Sequence, residues 1–390
     1  MRQAVIVGGK RTAFGKLGGM FKQTDAIQLG ATAVRGAMRQ CGVSPQLVDG
    51  ILMGMVLQAG CGQNPARQAA IRAGLDWEAS AETINKVCAS GMRAITLANQ
   101  WIRAGDAEII VAGGMESMSE APFAARTARW GNKLGNTELT DLLIHDGLLC
   151  PFHHVLMAAH GNQAAAEYGI SRAEQDEWAL RSHSRACSAM DDGLLAEEIE
   201  SFTTLGSVII DKDEAPRSDT SISKLDKLTS IAGATGTITA GNSPGVNDGA
   251  AALVIMSTEA AERGGYTPLA KLVAQAMIGT RAPNLAAAPA LAIQKLLHQT
   301  GLALKDIDVF EVNEAFAAVP LICGDILGWD DKKVNMNGGA IAFGHPIGAS
   351  GARIVLTLIN QLRRRGGGIG IAAICSGGAQ GDAVLIEVKE

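Results

Sequence analysis

Aromatic residues are scarce in this 390-residue chain, at 4% of the total with only two tyrosines. It therefore lacks the stacked rings on which single-stranded nucleic acid is bound. An excess of positive charge is also missing: 34 Lys and Arg stand against 39 Asp and Glu, for a net charge of −5. That argues against any non-specific polyanion binder, nucleic acid included, but leaves room for a local basic patch facing a phosphorylated ligand. The seven cysteines are odd in number and contain no C-x-x-C pair, so neither a disulfide framework nor a zinc site is expected. A reducing, cytoplasmic compartment is the natural reading. His153 and His154 form a pair with no metal-ligand partner at useful spacing, Cys150 reads as a core filler, and no metal is expected. No window approaches the roughly 18 apolar residues of a membrane span. The start, Met1 to Gly9, runs straight into a buried-type strand without an apolar signal core, and Glu387–Glu390 carries no address signal.

Small residues are plentiful, with 47 glycines and 47% hydrophobic residues, as expected for two or three well-packed domains. Strands alternate with helices. Residues 3–8 read as a strand, Asp25–Cys41 as a helix, Val48–Val56 as a strand and Asn64–Ala73 as a helix. Glu82–Ile84 then reads as a strand, followed by a helix ending near Gly105 and a strand, Glu108–Ala112, stopped by Gly113-Gly114. This predicts an α/β fold with a largely parallel sheet. From about 118 to 245 the chain is more polar and irregular, with helices at His160–Tyr168 and Ala173–Asp191, and reads as an insertion flanking a site. The α/β pattern resumes at Asp248–Met256.

The second half echoes the first. Val48-Asp49-Gly50-Ile51 is matched by Ile307-Asp308-Val309-Phe310, and Ala89-Ser90-Gly91-Met92-Arg93 by Ala349-Ser350-Gly351-Ala352-Arg353, at an offset of 259 to 260 residues. Two matches in order at one offset point to an internal duplication. They predict two similar sheets about a pseudo-two-fold, with loops from both halves meeting in the middle.

Four loops carry candidate chemistry. Cys88 falls where a strand turns into a helix, where unpaired N–H groups and the helix dipole favour negative charge, so its thiol should ionise readily. Ala89, Ser90 and Gly91 keep its surroundings small for an approaching substrate. His345 stands at a loop tip between Gly344 and Pro346. Cys375 ends an apolar strand before Ser376-Gly377-Gly378, whose bare N–H groups suit an oxyanion. The fourth loop is Asn313-Glu314-Ala315-Phe316. Two cysteines and a histidine suit acyl transfer: His345 takes the proton of Cys88, which attacks a thioester, and Cys375 removes a proton beside a second thioester carbonyl.

These motifs resemble the thiolase family (acetyl-CoA acetyltransferase / 3-ketoacyl-CoA thiolase) over essentially the whole chain. Asn85–Gly91 matches its nucleophile loop, Asn313–Ala317 its Asn-Glu-Ala-Phe loop, Asn335–Gly351 its histidine loop and Cys375–Gly378 its second cysteine loop. The resemblance implies that Cys88 is acylated and that Cys375 is the acid/base. It implies that His345 activates Cys88 and helps bind the thioester oxygen of the second acyl group, with a water held by Asn313. The N–H groups of Cys88 and Gly377 would form the other oxyanion hole. The implied fold has two duplicated βαβαβαββ halves in a five-layered αβαβα arrangement with an inserted loop domain. The boundaries expected are 1–117 plus 246–265, 118–245 and 266–390.

Coenzyme A would lie on the inserted domain. Arg217 resembles the residue meeting its phosphates, Leu148 and Met157 match positions lining the pantetheine tunnel, and Ser243, with Ala315 and Phe316 of the Asn-Glu-Ala-Phe loop, is expected to bind the substrate as well. The chain departs from the family pattern at Pro244, where a Ser is usual and Ser243 stands beside it, and at Ser230-Ile231-Ala232, where a Pro-x-Phe is usual. Further departures are Leu156 for a His, Gly161-Asn162-Gln163 for Ala-Glu-Asn, and Ala379 for the last Gly of its loop. The resemblance implies reversible condensation of two acetyl-CoA to acetoacetyl-CoA and CoA. A degradative thiolase acting on other 3-ketoacyl-CoA esters and a non-catalytic acyl-CoA binder are the alternatives. No tightly bound cofactor is expected, and a homo-oligomer, dimer or tetramer, is, with residues 119–142 leaving room for an assembly loop.

Overall fold

The structure, a computed structural model, describes residues 2–204 and 206–389. Met1, Leu205 and Glu390, each inside an expected domain boundary, lie outside the described residues. In chain order the main elements begin with β1 (Ala4–Arg11), α1 (Ala26–Cys41), β2 (Gly50–Gly54), α2 (Pro65–Ala73), β3 (Ser80–Ile84), α3 (Ser90–Ala104) and β4 (Ile109–Ser117). The insertion carries α4 (Met157–Glu167) and α5 (Arg172–Asp191). The chain then returns through β5 (Asn247–Ser257) and β6 (Ala270–Gly279) to α6 (Ala288–Thr300), β7 (Val309–Val312), α7 (Ala318–Leu327), α8 (Ser350–Arg364), β8 (Gly368–Ser376) and β9 (Gln380–Val388).

Local chemistry sets the helix ends. Asp25 caps α1 by accepting from Gln28 N, and Gly42, Gly74 and Gly105 close α1, α2 and α3 in the left-handed region. A capping box between Ser171 and Glu174 opens α5.

The strands follow the order β7-β8-β9-β6-β1-β5-β4-β2-β3. Among these nine strands, β2–β3, β2–β4 and β7–β8 pair in parallel; the neighbours β1–β5, β4–β5, β1–β6, β6–β9 and β8–β9 are antiparallel. The expected largely parallel sheet is thus corrected to a mixed one. β9 returns from β8 as a hairpin, and β5 comes back beside β1 only after the insertion. The two half-sheets also touch edge to edge, through Val5 opposite Lys271 and Ile6 opposite Ala270.

Alternation along the strands builds five layers. In β4, Ile109 and Val111 join α1 and α2 in one core, while Ile110 and Ala112 face a central core with α3 and α8. In β8, Ala372 and Ile374 share that central core, and Ile371 and Ala373 pack with α6 and α7. The period of two in a pleated strand produces this sorting. The repeat is visible in detail: α3 and α8 are both 15 residues long. Asp49 accepts from Ile109 N, and its counterpart Asp308 accepts from Ile369 N, both at 2.9 Å. The third strand of the second half is reduced to a single bridge between Phe310 and Val334.

β4 does not stop at Gly113-Gly114 but runs on to Ser117. A Cβ on Gly113 would lie 2.0 Å from Ala251 O, so this glycine permits close antiparallel approach and breaks nothing. A buried charge cluster fastens the insertion to the core. Arg11 holds Asp213 with two hydrogen bonds, at 2.7 and 2.8 Å, and Glu198 at 2.8 Å.

Candidate active site

Cys88 sits in a tight turn between β3 and α3. Asn85 Oδ1 accepts from Val87 N at 2.9 Å, and Val87 is held at φ 47. Ser90 fixes the turn from both sides: its Oγ accepts from Lys86 N at 2.8 Å and donates to Val87 O at 2.6 Å. The small residues after Cys88 serve a different end from the one expected. Ala89, Ser90 and Gly91 are buried. A Cβ on Gly91 would lie 2.8 Å from Gly348 O, and one on Gly351 would lie 2.5 Å from Met92 N. They allow α3 and α8 to cross closely, which brings the loops of the two halves together.

The thiol does not ionise easily. Burial pushes Cys88 up to about 11, although the Gly377 N–H and its own N–H are directed at the sulfur. The helix terminus is outweighed by loss of water. Burial also drives Cys375 well above the usual thiol range, with the Cys88 thiol adding to the rise. Both cysteines are therefore thiols at rest.

His345 is 7% exposed. Its backbone N–H donates to Asn247 Oδ1 at 3.0 Å, and its Nδ1 lies 2.6 Å from Ser350 Oγ. Ser350 donates its only hydrogen to Pro346 O at 3.0 Å, and a carbonyl can only accept. With the hydroxyl so turned, Ser350 accepts from Nδ1–H and Nε2 is left bare as a base, the tautomer that the Asn313 amide donor near Nε2 also favours. Burial, helped by Arg353, pushes His345 down to about 3, so the ring is neutral at rest. Asn313 Nδ2 stands 3.5 Å from that Nε2, and its Oδ1 is buried with no partner among the described residues.

Two carboxylates brace these loops. Glu314 accepts from Trp178 Nε1, Ser182 Oγ, Asn335 Nδ2 and Ile341 N at 2.8–3.1 Å, tying the Asn313 loop to α5 and the histidine loop. Glu116 accepts from Val56, Leu57 and Gly348 N–H groups. Burial still pushes it up to about 7.

Cys88, His345, Cys375 and Gly377 line one apolar cavity with Leu148, Met157, Ser243, Ala315 and Phe316. Leu156, Ile231 and Pro244, three positions of departure, are also in its wall. Arg217 is elsewhere. It borders an outer cleft with Lys16, Lys224 and His183 that shares Ser243, Gly245 and Val246 with the cavity. Asn313, in contact with His345 Nε2, is not among the lining residues. The Ser243 hydroxyl already donates to Thr239 O at 2.6 Å, so it has a lone pair to offer but no hydrogen. Asp213, beside the Arg217 motif, is committed to Arg11.

The match to family models decides the assignment. Residues 4–259 match the N-terminal domain of thiolase, and residues 266–388 match its C-terminal domain. The chain belongs to the thiolase family. It is 46% identical over 391 residues to the acetyl-CoA acetyltransferase of Escherichia coli (strain K12), covering 99% of both chains. It is 43% identical over 393 residues to that of Cupriavidus necator, covering 100% of both. The crystal structure of the Bacillus anthracis acetyl-CoA acetyltransferase superimposes with a TM-score of 0.97 at 39% identity, over 100% of this chain and 99% of that one.

Sequence reasoning did not find Ser350 as the hydroxyl that sets the His345 tautomer in this thiolase, though it had marked Ser350 as a helix start. It also missed that Asn247, in the 241–250 segment that resembles a tunnel wall, anchors the His345 backbone, and it missed the bracing role of Glu116, which no local pattern signals. The expectation that His153 has no partner at metal-ligand spacing is corrected: the fold gathers Cys150, His153 and His160.

Proposed function

We propose that this thiolase is an acetyl-CoA C-acetyltransferase, converting two acetyl-CoA reversibly to acetoacetyl-CoA and CoA by a ping-pong Claisen condensation. The observation that carries the reading is His345, fixed with a bare Nε2, lining one cavity with Cys88, Cys375 and Gly377. Nε2 takes the Cys88 proton as Sγ attacks the acetyl carbonyl. The Cys88 and Gly377 N–H groups hold the oxyanion, each donor of this kind being worth roughly 10²–10³ in rate. CoA leaves with the proton of Cys375, so the acetyl-enzyme carries an imidazolium and a thiolate. The Cys375 thiolate removes a proton from the methyl of the second acetyl-CoA. His345 Nε2–H and a water held by Asn313 stabilise the enolate oxygen. The enolate carbon attacks acetyl-Cys88, and the departing Cys88 sulfur regains its proton from His345. All three groups are then as they began.

Arg217, with Lys16 close by, suits the phosphates of CoA in the outer cleft. Leu148, Met157, Ala315 and Phe316 form the tunnel and acyl walls, with Ser243 as an acceptor. No tightly bound cofactor enters the scheme. The units carrying it are 1–117 plus 246–265, 118–245 and 266–390. A cytoplasmic homo-oligomer, tetramer favoured, accords with Trp130 and Leu134, 86% and 93% exposed in the 119–142 segment; a monomer by light scattering would overturn that assembly.

The test is CoA-dependent cleavage of acetoacetyl-CoA beside 3-ketohexanoyl- and 3-ketodecanoyl-CoA. Activity confined to acetoacetyl-CoA and reduced about 10⁴-fold or more in Cys88→Ala is expected. A second reading, a degradative thiolase of wider chain range, draws on the lost bulk around Pro244, in the cavity wall, and Ala232, and predicts comparable rates on the longer esters. No cleavage by folded protein would leave only an acyl-CoA binder.

A further inference from the structure

One cluster of donor groups takes no part in the chemistry above. Cys150, His153 and His160 each offer one ligand atom, and the three atoms lie within 4.8 Å of one another. The segment from Leu149 to Leu156 doubles back to bring this about. Cys150 N donates to Val155 O at 2.8 Å, His154 N donates to Cys150 O at 2.9 Å, and His154 takes φ 54. His153 is thereby set against the first turn of α4, with its ring 5.0 Å from that of His160. His160 is only 3% exposed, and its Nε2 has no hydrogen-bond partner among the described residues. A buried nitrogen without a partner calls for an explanation. Cys150 is a fully buried free thiol, whereas His153 is exposed and leaves an open side.

We infer that Cys150, His153 and His160 form a binding site for a borderline-soft divalent transition-metal ion of the zinc type. One sulfur and two imidazoles are the donor set such ions select, and the absence of carboxylate oxygens from the triad disfavours magnesium and calcium. Metal–sulfur and metal–nitrogen bonds of about 2.3 and 2.0–2.1 Å call for donors about 3.3–3.6 Å apart. Closing from 4.8 Å asks for a small rotation, which the exposed His153 can make. On binding, the Cys150 thiol gives its proton to solvent and forms the metal–sulfur bond. Three protein donors leave the fourth position of a tetrahedral ion to water. Leu156 and Met157, both in the cavity wall, lie between the ligands in sequence. The ion would therefore staple that wall to α4. The inference stands whether or not the acyl-transfer reading does.

The experiment is titration of the full chain with cobalt(II), read by visible and near-ultraviolet absorption. One cobalt per chain is expected, with the d–d bands of a tetrahedral ion and a thiolate charge-transfer band, and zinc should displace it. Affinity should fall at least 10-fold in His153→Ala, whose exposed side chain can be removed without disturbing the core. The charge-transfer band should vanish in Cys150→Ser and persist in both Cys88→Ala and Cys375→Ala. Zinc should raise the Tm of the wild type but not that of His153→Ala. The inference is overturned by the absence of saturable binding, by unchanged affinity in His153→Ala, or by loss of the signal in Cys88→Ala, which would place the metal on the catalytic thiols.

Discussion

Ser90 and Ser350 occupy the same place in the two halves of the molecule, and they do different work. Each opens a 15-residue helix, and each donates its hydroxyl hydrogen to a carbonyl just upstream, Val87 O or Pro346 O. They differ in what they accept. Ser90 accepts from the backbone at Lys86 N, which shapes the turn that presents Cys88. Ser350 accepts from the imidazole of His345, which fixes where that ring carries its proton. One duplicated tie has thus become a structural clamp in one half and a tautomer switch in the other.

Removing the two hydroxyls should break the symmetry and gives the largest effect expected of this comparison. Ser350→Ala frees Nδ1–H and lets the ring turn or take the other tautomer. We expect kcat to fall roughly 10–100-fold, the usual scale for a partner that orients an active imidazole, with KM for acetoacetyl-CoA little changed. Ser90→Ala takes the partner from the part-buried Lys86 N–H, for a stability loss of about 1 kcal/mol, and loosens the Cys88 turn. Steady-state kinetics beside denaturant unfolding separates the two. Equal kinetic and stability losses in both variants would mean that Ser350, like Ser90, is only a clamp.

Much of this was legible in the sequence because the repeat is written there. The offset that relates Ala89–Arg93 to Ala349–Arg353 locates both central helices, and the loops bearing Cys88, His345 and Cys375 fall at their ends or at the end of β8. What was not legible depends on partners far along the chain. Gly113 reads as a strand stop until Ala251 is seen against it. The antiparallel place of β5 is decided after an insertion of more than a hundred residues. The helix-terminus argument for an acidic Cys88 thiol failed because it counted the dipole and could not count the burial. Cys150, His153 and His160 meet only because a short loop folds back on α4, and spacing alone does not reveal such a meeting.

The halves also place buried titratable groups with opposite consequences for pH. His345 has its ordinary value of 6.5 pushed down to about 3. Between these values the unfolded chain binds the proton and the native protein does not, so stability falls as pH drops through that window. Glu116 has its ordinary 4.5 pushed up to about 7. Between these values the native protein holds the extra proton, so stability falls as pH rises. Each slope approaches about 1.4 kcal/mol per pH unit, the free energy of one fully differential proton. Unfolding free energies of the wild type, His345→Gln and Glu116→Gln from pH 5 to 6.5 should show it. The wild type minus His345→Gln difference should grow with pH, and the wild type minus Glu116→Gln difference should shrink. Slopes of the same sign would refute the pairing.

The smallest effect is expected inside the second cysteine loop. Ala379 is held at φ 53 and fully buried, and its carbonyl accepts from Thr280 N at 2.8 Å. The left-handed backbone costs an alanine about 1–2 kcal/mol, which Ala379→Gly would relieve. Against this, the substitution removes a buried methyl group, about 0.8 kcal/mol, and adds freedom to the unfolded chain, about 0.5–1 kcal/mol. The terms nearly cancel, so Ala379→Gly should change stability by less than about 1 kcal/mol. Ala379→Val, β-branched in the same backbone region, should lose clearly more. Calorimetry of the two variants decides the matter. A gain well above 1 kcal/mol in the glycine variant would mean that strain is held next to the Gly377 N–H. The two cysteine loops would then share the device, since Val87, a β-branched residue, is held at φ 47 beside Cys88.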